Sequence, residues 1–226
     1  MRVIGVLSWY SEKPSWLAAC VSSMGRLCDH VVAFDGAYAR FPTDQARSRP
    51  DEAETIARTA DGLGMGWTIH SPREKWWGGE VEKRAAMLRA AANLAEPDDW
   101  ILSLDADEVL ADVWGGTRTV LFDATEDVGE VMITDENQGR APIRRLFRAL
   151  PELTVEQAHY VVTARKGSEK IVLVGDRKVH NEVPALPLHD VLIRHRQSER
   201  DAERKAQKQL YYTSAMPHEQ EALAAV

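Results

Sequence analysis

Four short apolar runs, spaced by amphipathic stretches, constrain what this chain can fold into more than any other feature. Val3 to Leu7, Val31 to Phe34, the weaker Trp67 to His70 and Trp100 to Leu104 each have the length and apolar content of a buried strand. The first gap holds a helix opened by Pro14, with Trp16, Leu17, Cys20, Val21, Met24 and Leu27 forming an apolar stripe. The second helix opens at Pro50-Asp51-Glu52, turns Ala53, Ile56, Ala57 and Ala60 inward, and stops near Gly62 or Gly64. The third follows Gly78-Gly79, carries Val81, Ala85, Leu88, Ala92 and Ala95 on one face, and ends before Pro97. Strands that alternate with helices at this spacing predict an α/β protein with a mainly parallel sheet covered on both faces.

Past Glu108 the rhythm changes. Gly115-Gly116 breaks the chain, and a short helix is expected around Thr119 to Ala124. Glu130 to Thr134, Arg144 to Arg148, Tyr160 to Thr163, Ile171 to Val174 and Val191 to Ile193 read as further strands. The third and fourth of these pair naturally as a hairpin across Lys166-Gly167-Ser168. The charged segment Glu199 to Tyr212 reads as an exposed helix with a frayed tail beyond Pro217. Neither an internal repeat nor a long linker is evident. The expectation is one domain over 1–226, in which 1–110 binds a ligand at its strand ends and 111–226 completes the pocket.

The 226 residues are 44% hydrophobic, enough for a sizeable core. A formal charge of -7 argues against general binding to nucleic acid or anionic membranes, although local basic patches fit within it. Cys20 and Cys28 form no Cys-x-x-Cys pair, so neither a disulfide framework nor a zinc cluster is expected. The first apolar run is too short for a signal peptide, and no stretch approaches a membrane span. A soluble, cytoplasmic protein is the expectation.

Ligands of open α/β sheets bind outside the carboxyl ends of the strands. Two acidic strand ends meet that condition. Asp35 follows the second strand, and Asp105-Ala106-Asp107-Glu108 follows the fourth. Residues two apart on a strand share a face, so Asp105 and Asp107 can point together. Paired carboxylates repel unless a proton or cation sits between them, and a hard divalent cation prefers oxygen ligands. An acidic turn is the plain alternative for Asp105 and Asp107, as a turn residue before Gly36 is for Asp35. Lys83 and Arg84 lie in the first turns of the third helix, where free backbone amides also favour anions. They fit phosphate binding or a solvated charged face. Trp76 and Trp77 fit a lid over a sugar or base, or ordinary core packing. His195 closes the last apolar run, where a neutral imidazole can serve as a metal ligand. Arg196, Arg200, Arg204, Lys205 and Lys208 follow, interleaved with acids as on a salt-bridged helix, and one or two of them can reach a diphosphate.

Taken in order, strand one, Asp35-Gly36, the basic pair before strand four and Leu104-Asp105-Ala106-Asp107-Glu108 resemble a glycosyltransferase of the GT-A fold, close to the family 2 group. The resemblance covers residues 1–110 well. It continues more loosely through Arg145-Leu146-Phe147-Arg148, His180-Asn181-Glu182 and His195 to Tyr212. Enzymes of this type carry a His-Glu pair where Asn181 here separates His180 from Glu182. The resemblance implies a hexosyltransferase-like enzyme using a nucleotide-diphosphate sugar as donor and an acceptor that is a glycan, a protein or a small molecule. It places Asp35 at the nucleoside and Asp105 at the ribose or the metal. Asp107 would hold Mn²⁺ or Mg²⁺ with His195 as a further ligand, and Lys83 and Arg84 would assist electrostatically; Trp77, read above as a lid residue, is taken with them as a nucleotide-sugar contact.

An inverting transferase also needs a carboxylate base, worth about 100- to 10,000-fold in rate. Asp135 and Glu136, after the Glu130 to Thr134 strand, are the first candidates and Glu182 the second. A sugar-phosphate nucleotidyltransferase would carry a glycine-rich, arginine-bearing loop after strand one, where this chain has Ser8-Trp9-Tyr10-Ser11-Glu12-Lys13. A nucleotide-sugar-binding module without turnover is the other alternative.

Overall fold

The computed structural model describes residues 1–72, 77–135, 139–157, 161–176, 180–196, 199 and 202–215. An eight-stranded sheet runs through it in the order β3-β2-β1-β4-β7-β6-β11-β5. Its strands are β1 (Val3–Ser8), β2 (His30–Phe34), β3 (Gly66–His70), β4 (Trp100–Asp105), β5 (Glu108–Val113), β6 (Val128–Asp135), β7 (Gly139–Arg148) and β11 (Leu186–His195). The pairs β1–β2, β2–β3, β1–β4 and β6–β11 are parallel. Strand β7 runs antiparallel between β4 and β6, and β5 runs antiparallel to β11 at the edge. Three short antiparallel strands, β8 (Thr154–Gln157), β9 (Val161–Lys166) and β10 (Glu169–Val174), form a separate small sheet. The β9–β10 hairpin forms as expected, with Gly167 supplying the positive φ of its turn.

Strand β1 shows why this sheet is buried on both faces. All six of its residues are buried: Val3 and Leu7 join one apolar cluster, while Ile4 and Val6 join the other. The first cluster packs under helices α1 (Pro14–Met24) and α2 (Pro50–Gly62), through Leu17, Cys20, Val21, Met24, Ile56 and Ala60. The second lies under α3 (Glu80–Leu94) and the small sheet, through Val81, Ala85, Leu88, Val155, Val162 and Leu173. Each fully buried aliphatic side chain contributes about 1.5–3 kcal/mol, so the two clusters supply most of the drive for this layering. A short α4 (Thr117–Asp123) and the outlying α5 (Ala202–Leu210) complete the helices, α5 running into a wide turn at Tyr211–Ala215. Among the described residues no helix is long and apolar enough to cross a membrane.

Three local readings change. Strand β4 ends at Asp105, and Ala106-Asp107 form a turn into β5, so the two acids do not share a strand face. Strand β5 was hidden in what reads as an acidic stretch, and β8 in a short polar one. Helix α5 has no buried residue of its own, but Tyr211 just past it is 1% exposed and packs against Tyr10, Ala37 and Phe41. Trp76, Glu136, Tyr160, Arg200 and Pro217 lie outside the described residues.

Candidate functional site

A cavity of about 430 Å³ opens at the carboxyl ends of β1, β2 and β4, the position expected for a ligand of this architecture. Ser8, Trp9 and Tyr10 come from the end of β1, Gly36 to Tyr38 from the end of β2, and Asp105 to Asp107 from the turn after β4. The first turns of α3 add Glu80, Lys83 and Arg84. The far wall comes from His195 and from Arg204, Lys205, Lys208, Gln209, Tyr211 and Tyr212. The lysines and arginines on this lining outnumber its four carboxylates, Glu12, Glu80, Asp105 and Asp107, by one. A chain of net negative charge therefore carries a locally cationic cavity. Tyr10, Tyr38, Phe41 and Tyr211 stack edge-on or tilted at one side of it, with centroids 5.0 to 5.9 Å apart.

The acids after β4 have separate tasks. The Arg84 guanidinium bridges Glu80 at 3.1 Å and Asp105 at 2.8 Å, all three on or beside α3. Burial alone would raise the Asp105 carboxyl, but Arg84 and then Arg145 hold it below the usual range. Glu108 turns inward, accepts from the Asp105 backbone N–H and pairs with Arg145 at 2.7 Å. Asp107 faces His195, whose Nε2 lies 3.3 Å from its Oδ2. The other ring nitrogen of His195, Nδ1, lies 2.8 Å from Asp135. The Asp107 hydrogen bond chiefly lifts His195 to about 9, so at neutral pH the ring carries both protons and bridges the two carboxylates. Lys208 stands 3.9 Å from the same Asp107 oxygen.

The register of the sheet explains this meeting across 88 residues. His195 at the end of β11 pairs with Glu108 at the start of β5, one residue past Asp107. The Arg196 backbone N–H then donates to the Asp107 carbonyl and closes the corner.

Several expected ligand contacts have other uses. Asp35 does not line the cavity. Its carboxylate accepts from the backbone of Gly36 and from the backbone and hydroxyl of Ser48, and burial lifts its carboxyl despite those donors. Lys83 is 1% exposed, and its ammonium donates to the Trp9 and Gly36 carbonyls at 2.6 and 2.8 Å, tying the ends of β1 and β2 together. Burial pulls it down to about 7, the nearby Asp35 charge offsetting only part of the shift. Trp77 donates from Nε1 to the Asp35 carbonyl and stacks on Phe34, bracing the loop rather than facing the cavity. Gly36, at φ +112°, permits that close approach, since a Cβ there would meet Pro72 and the Trp77 indole. Glu182 accepts from the Val172 backbone beside the small sheet, outside the cavity. Asp135 is engaged with His195, which makes it an orienting group rather than a free base. Glu136 is the expected base that lies outside the described residues.

The sequence reading did not find the aromatic wall. The only signal available was the density of Tyr10, Tyr38 and Phe41 in the loops after β1 and β2.

Among the described residues, no three His, Cys, Asp or Glu side chains converge as a complete metal site. The donors present fit a partial one. Asp107 and His195 are adjacent, and Asp135 stands behind the ring in the manner of a carboxylate that fixes a ligating histidine. To ligate, His195 would have to give up its Nε2 proton to the incoming cation, which would keep waters and substrate phosphates as its remaining ligands. Asp105 does not fit as a ligand while Arg84 holds it.

No family model and no curated protein matches this chain. Among solved structures it is similar to a protein described as a glucose-1-phosphate thymidylyltransferase from Bacillus anthracis in complex with sucrose. The TM-score is 0.41 and the identity 8%, over 59% of this chain and 56% of that one. The chain spans just over half of that protein's length, and so slight a likeness carries no functional weight. Sheet and cavity define an α/β protein with a cation-rich cavity at its parallel strand ends.

Proposed function

We propose that the protein is a glycosyltransferase of the GT-A type that moves a sugar from a nucleotide-diphosphate donor to an acceptor hydroxyl. The observation that carries this reading is the Asp107–His195–Asp135 alignment at the edge of a cavity lined by both cations and aromatic rings. The rings suit a nucleobase, since ring stacking is worth about 1–3 kcal/mol per base and tolerates any base. Lys205, Lys208 and Arg204 suit the diphosphate through charge-assisted hydrogen bonds.

The transfer breaks the anomeric carbon–oxygen bond to the diphosphate, forms the bond to the acceptor oxygen and releases the acceptor's proton to a base. Asp107 and His195 would hold Mn²⁺ or Mg²⁺, which when bound offsets the charge building on the departing diphosphate. Asp135 keeps the His195 ring aimed at Asp107, and Arg84 holds the Asp105 carboxylate in an ion pair. Lys208 supplies a second positive charge beside Asp107, where preorganised charge does most for a developing anion.

The test is release of nucleoside diphosphate from a panel of nucleotide sugars, with Mn²⁺ and with EDTA, preceded by thermal-shift screening of the same panel. Metal-dependent release supports the transferase. Nucleotide binding with no release from any donor points instead to a binding module that lacks turnover.

A further inference from the structure

Helix α5 closes the far wall of the strand-end cavity without a packed face of its own. None of its nine residues is buried. The cavity of about 430 Å³ lies on one side of it. A polar space of about 200 Å³ lies on another, between Glu203 and Gln207 of the helix and Trp16 of α1. Arg204 lines both. A segment that buries so little opens at low cost. Tyr211 and Arg204 tie it to the loops after β1 and β2. Tyr211, just past the helix, is inserted beside Tyr10, Ala37 and Phe41. Arg204 donates to the Tyr10 carbonyl at 2.6 Å and lies 3.7 Å from Glu12. Its guanidinium also stands 4.8 Å from the Phe41 ring centroid and 5.4 Å from that of Tyr10. A guanidinium is flat and cationic, and it stacks on the same ring faces that a flat ligand would use. Tyr10 and Phe41 are 8% and 7% exposed, so with the arginine in place these rings offer almost no free face.

We infer that α5 with Tyr211 is a strap over the cavity and that Arg204 is its latch, an autoinhibitory contact. The guanidinium occupies the ring faces of Tyr10 and Phe41, and a flat ligand stacks there only after the strap has lifted. Lifting breaks the hydrogen bond to the Tyr10 carbonyl and frees the guanidinium. Reclosing brings Lys205 and Lys208, which line the cavity, over what has bound. A flat ligand with an anionic group does better than a neutral ring, because the freed arginine and the two lysines become its partners. The strap lowers the apparent affinity of any such ligand by the fraction of molecules in which it is open. This device governs access to the cavity and holds whether or not a sugar is transferred there.

Trypsin reads the strap and a dye reads the rings, both on the whole protein. Cleavage after Lys205 and Lys208 requires an opened helix, and mass spectrometry of the fragments beginning at Ala206 and Gln209 follows it. Arg204→Met should speed this cleavage about fivefold or more. Anilinonaphthalene sulfonate is a flat aromatic anion whose fluorescence reports exposed apolar surface. Arg204→Met should bind it about fivefold or more tightly than the unaltered protein, and adding Phe41→Ala should cancel that gain. Circular dichroism shows which variants are folded. Should Arg204→Met not fold, Arg204→Lys decides, since it keeps the charge but not the flat group, and should give at least twofold in both readouts. An unchanged cleavage rate or an unchanged dye affinity in a folded latch variant would overturn the inference. So would a gain in dye binding that persists with Phe41→Ala. Neither readout uses a nucleotide, so failure of the strap and failure of the transferase reading are told apart.

Discussion

The cavity at the strand ends and a smaller one of about 250 Å³ between α3 and the small sheet share a wall, the Arg84–Asp105 ion pair, and little else. The larger is lined by charges and by rings with polar edges, and it collects residues from the ends of three parallel strands and from α5. The smaller is lined by apolar side chains from a helix and from strands of both sheets, together with Arg84, Ser103, Asp105, Arg144 and Arg145. Parallel strands end together, so their carboxyl ends can gather polar groups without burying them in the core. The space between α3 and the small sheet is core by construction, and a void there is apolar. The Arg84–Asp105 pair stands where these two regimes meet. One fold thus holds two neighbouring cavities of different lining without extra elements.

Four changes would break or sharpen that contrast. Asp107→Asn acts only on the charged side. Metal-dependent release of nucleoside diphosphate should fall by on the order of 100-fold or more while the fold is kept, and near-normal turnover in a folded variant would end the metal assignment. Arg84→Met acts on the wall itself. It leaves Glu80 and Asp105 without their shared cation, and urea denaturation should show a loss of roughly 3 kcal/mol. The value sits at the low end of such losses because Asp105 keeps some contact with solvent. Asp135→Asn leaves both cavities intact but frees the His195 ring. Manganese affinity, read by titration calorimetry, should weaken roughly 10- to 100-fold.

The fourth change concerns pH. The folded His195 titrates near 9, above its ordinary value, so its contribution to stability is complete below about 6.5 and is lost as pH rises through about 9. Lys83 acts in the opposite sense, since its folded value near 7 makes stability grow between pH 7 and the ordinary lysine range. Comparing Asp107→Asn with the unaltered protein cancels the lysine contribution. Between pH 6 and pH 9 the variant should lose less melting temperature, or gain more, than the unaltered protein, because Asp107 is the largest cause of the histidine shift. An unchanged difference would mean that the His195 ring is held by other groups.

Much of the first half was legible because each signal was local. Pro14 and Pro50 open helices, Gly78-Gly79 precedes a third, and four apolar runs become four strands within a residue or two of where they were expected. Asp105 and Asp107 were legible as an acidic strand end but not as a geometry. Whether a strand continues for two more residues depends on β5, whose pairing partner β11 lies some 80 residues on. The same distance hid the alignment of Asp107 with His195 and Asp135. Asp35 was misplaced because Ser48, which occupies its carboxylate, sits in a loop with no pattern to read. Helix α5 looked exposed because its charges alternate, yet Arg204 reaches from it to the Tyr10 carbonyl at 2.6 Å and stacks over Phe41.

Strand β11 is threaded between β6 and β5, two strands made long before it on the ribosome. Until it arrives, β6 and β5 each present an open edge, and such edges recruit other chains. Insertion of β11 covers both edges and brings His195 to Asp107 in the same event. A chain stalled or cut before this strand would be sticky and without its histidine at once. Long-range pairings of this kind form slowly, so the site comes into being only when the sheet is whole.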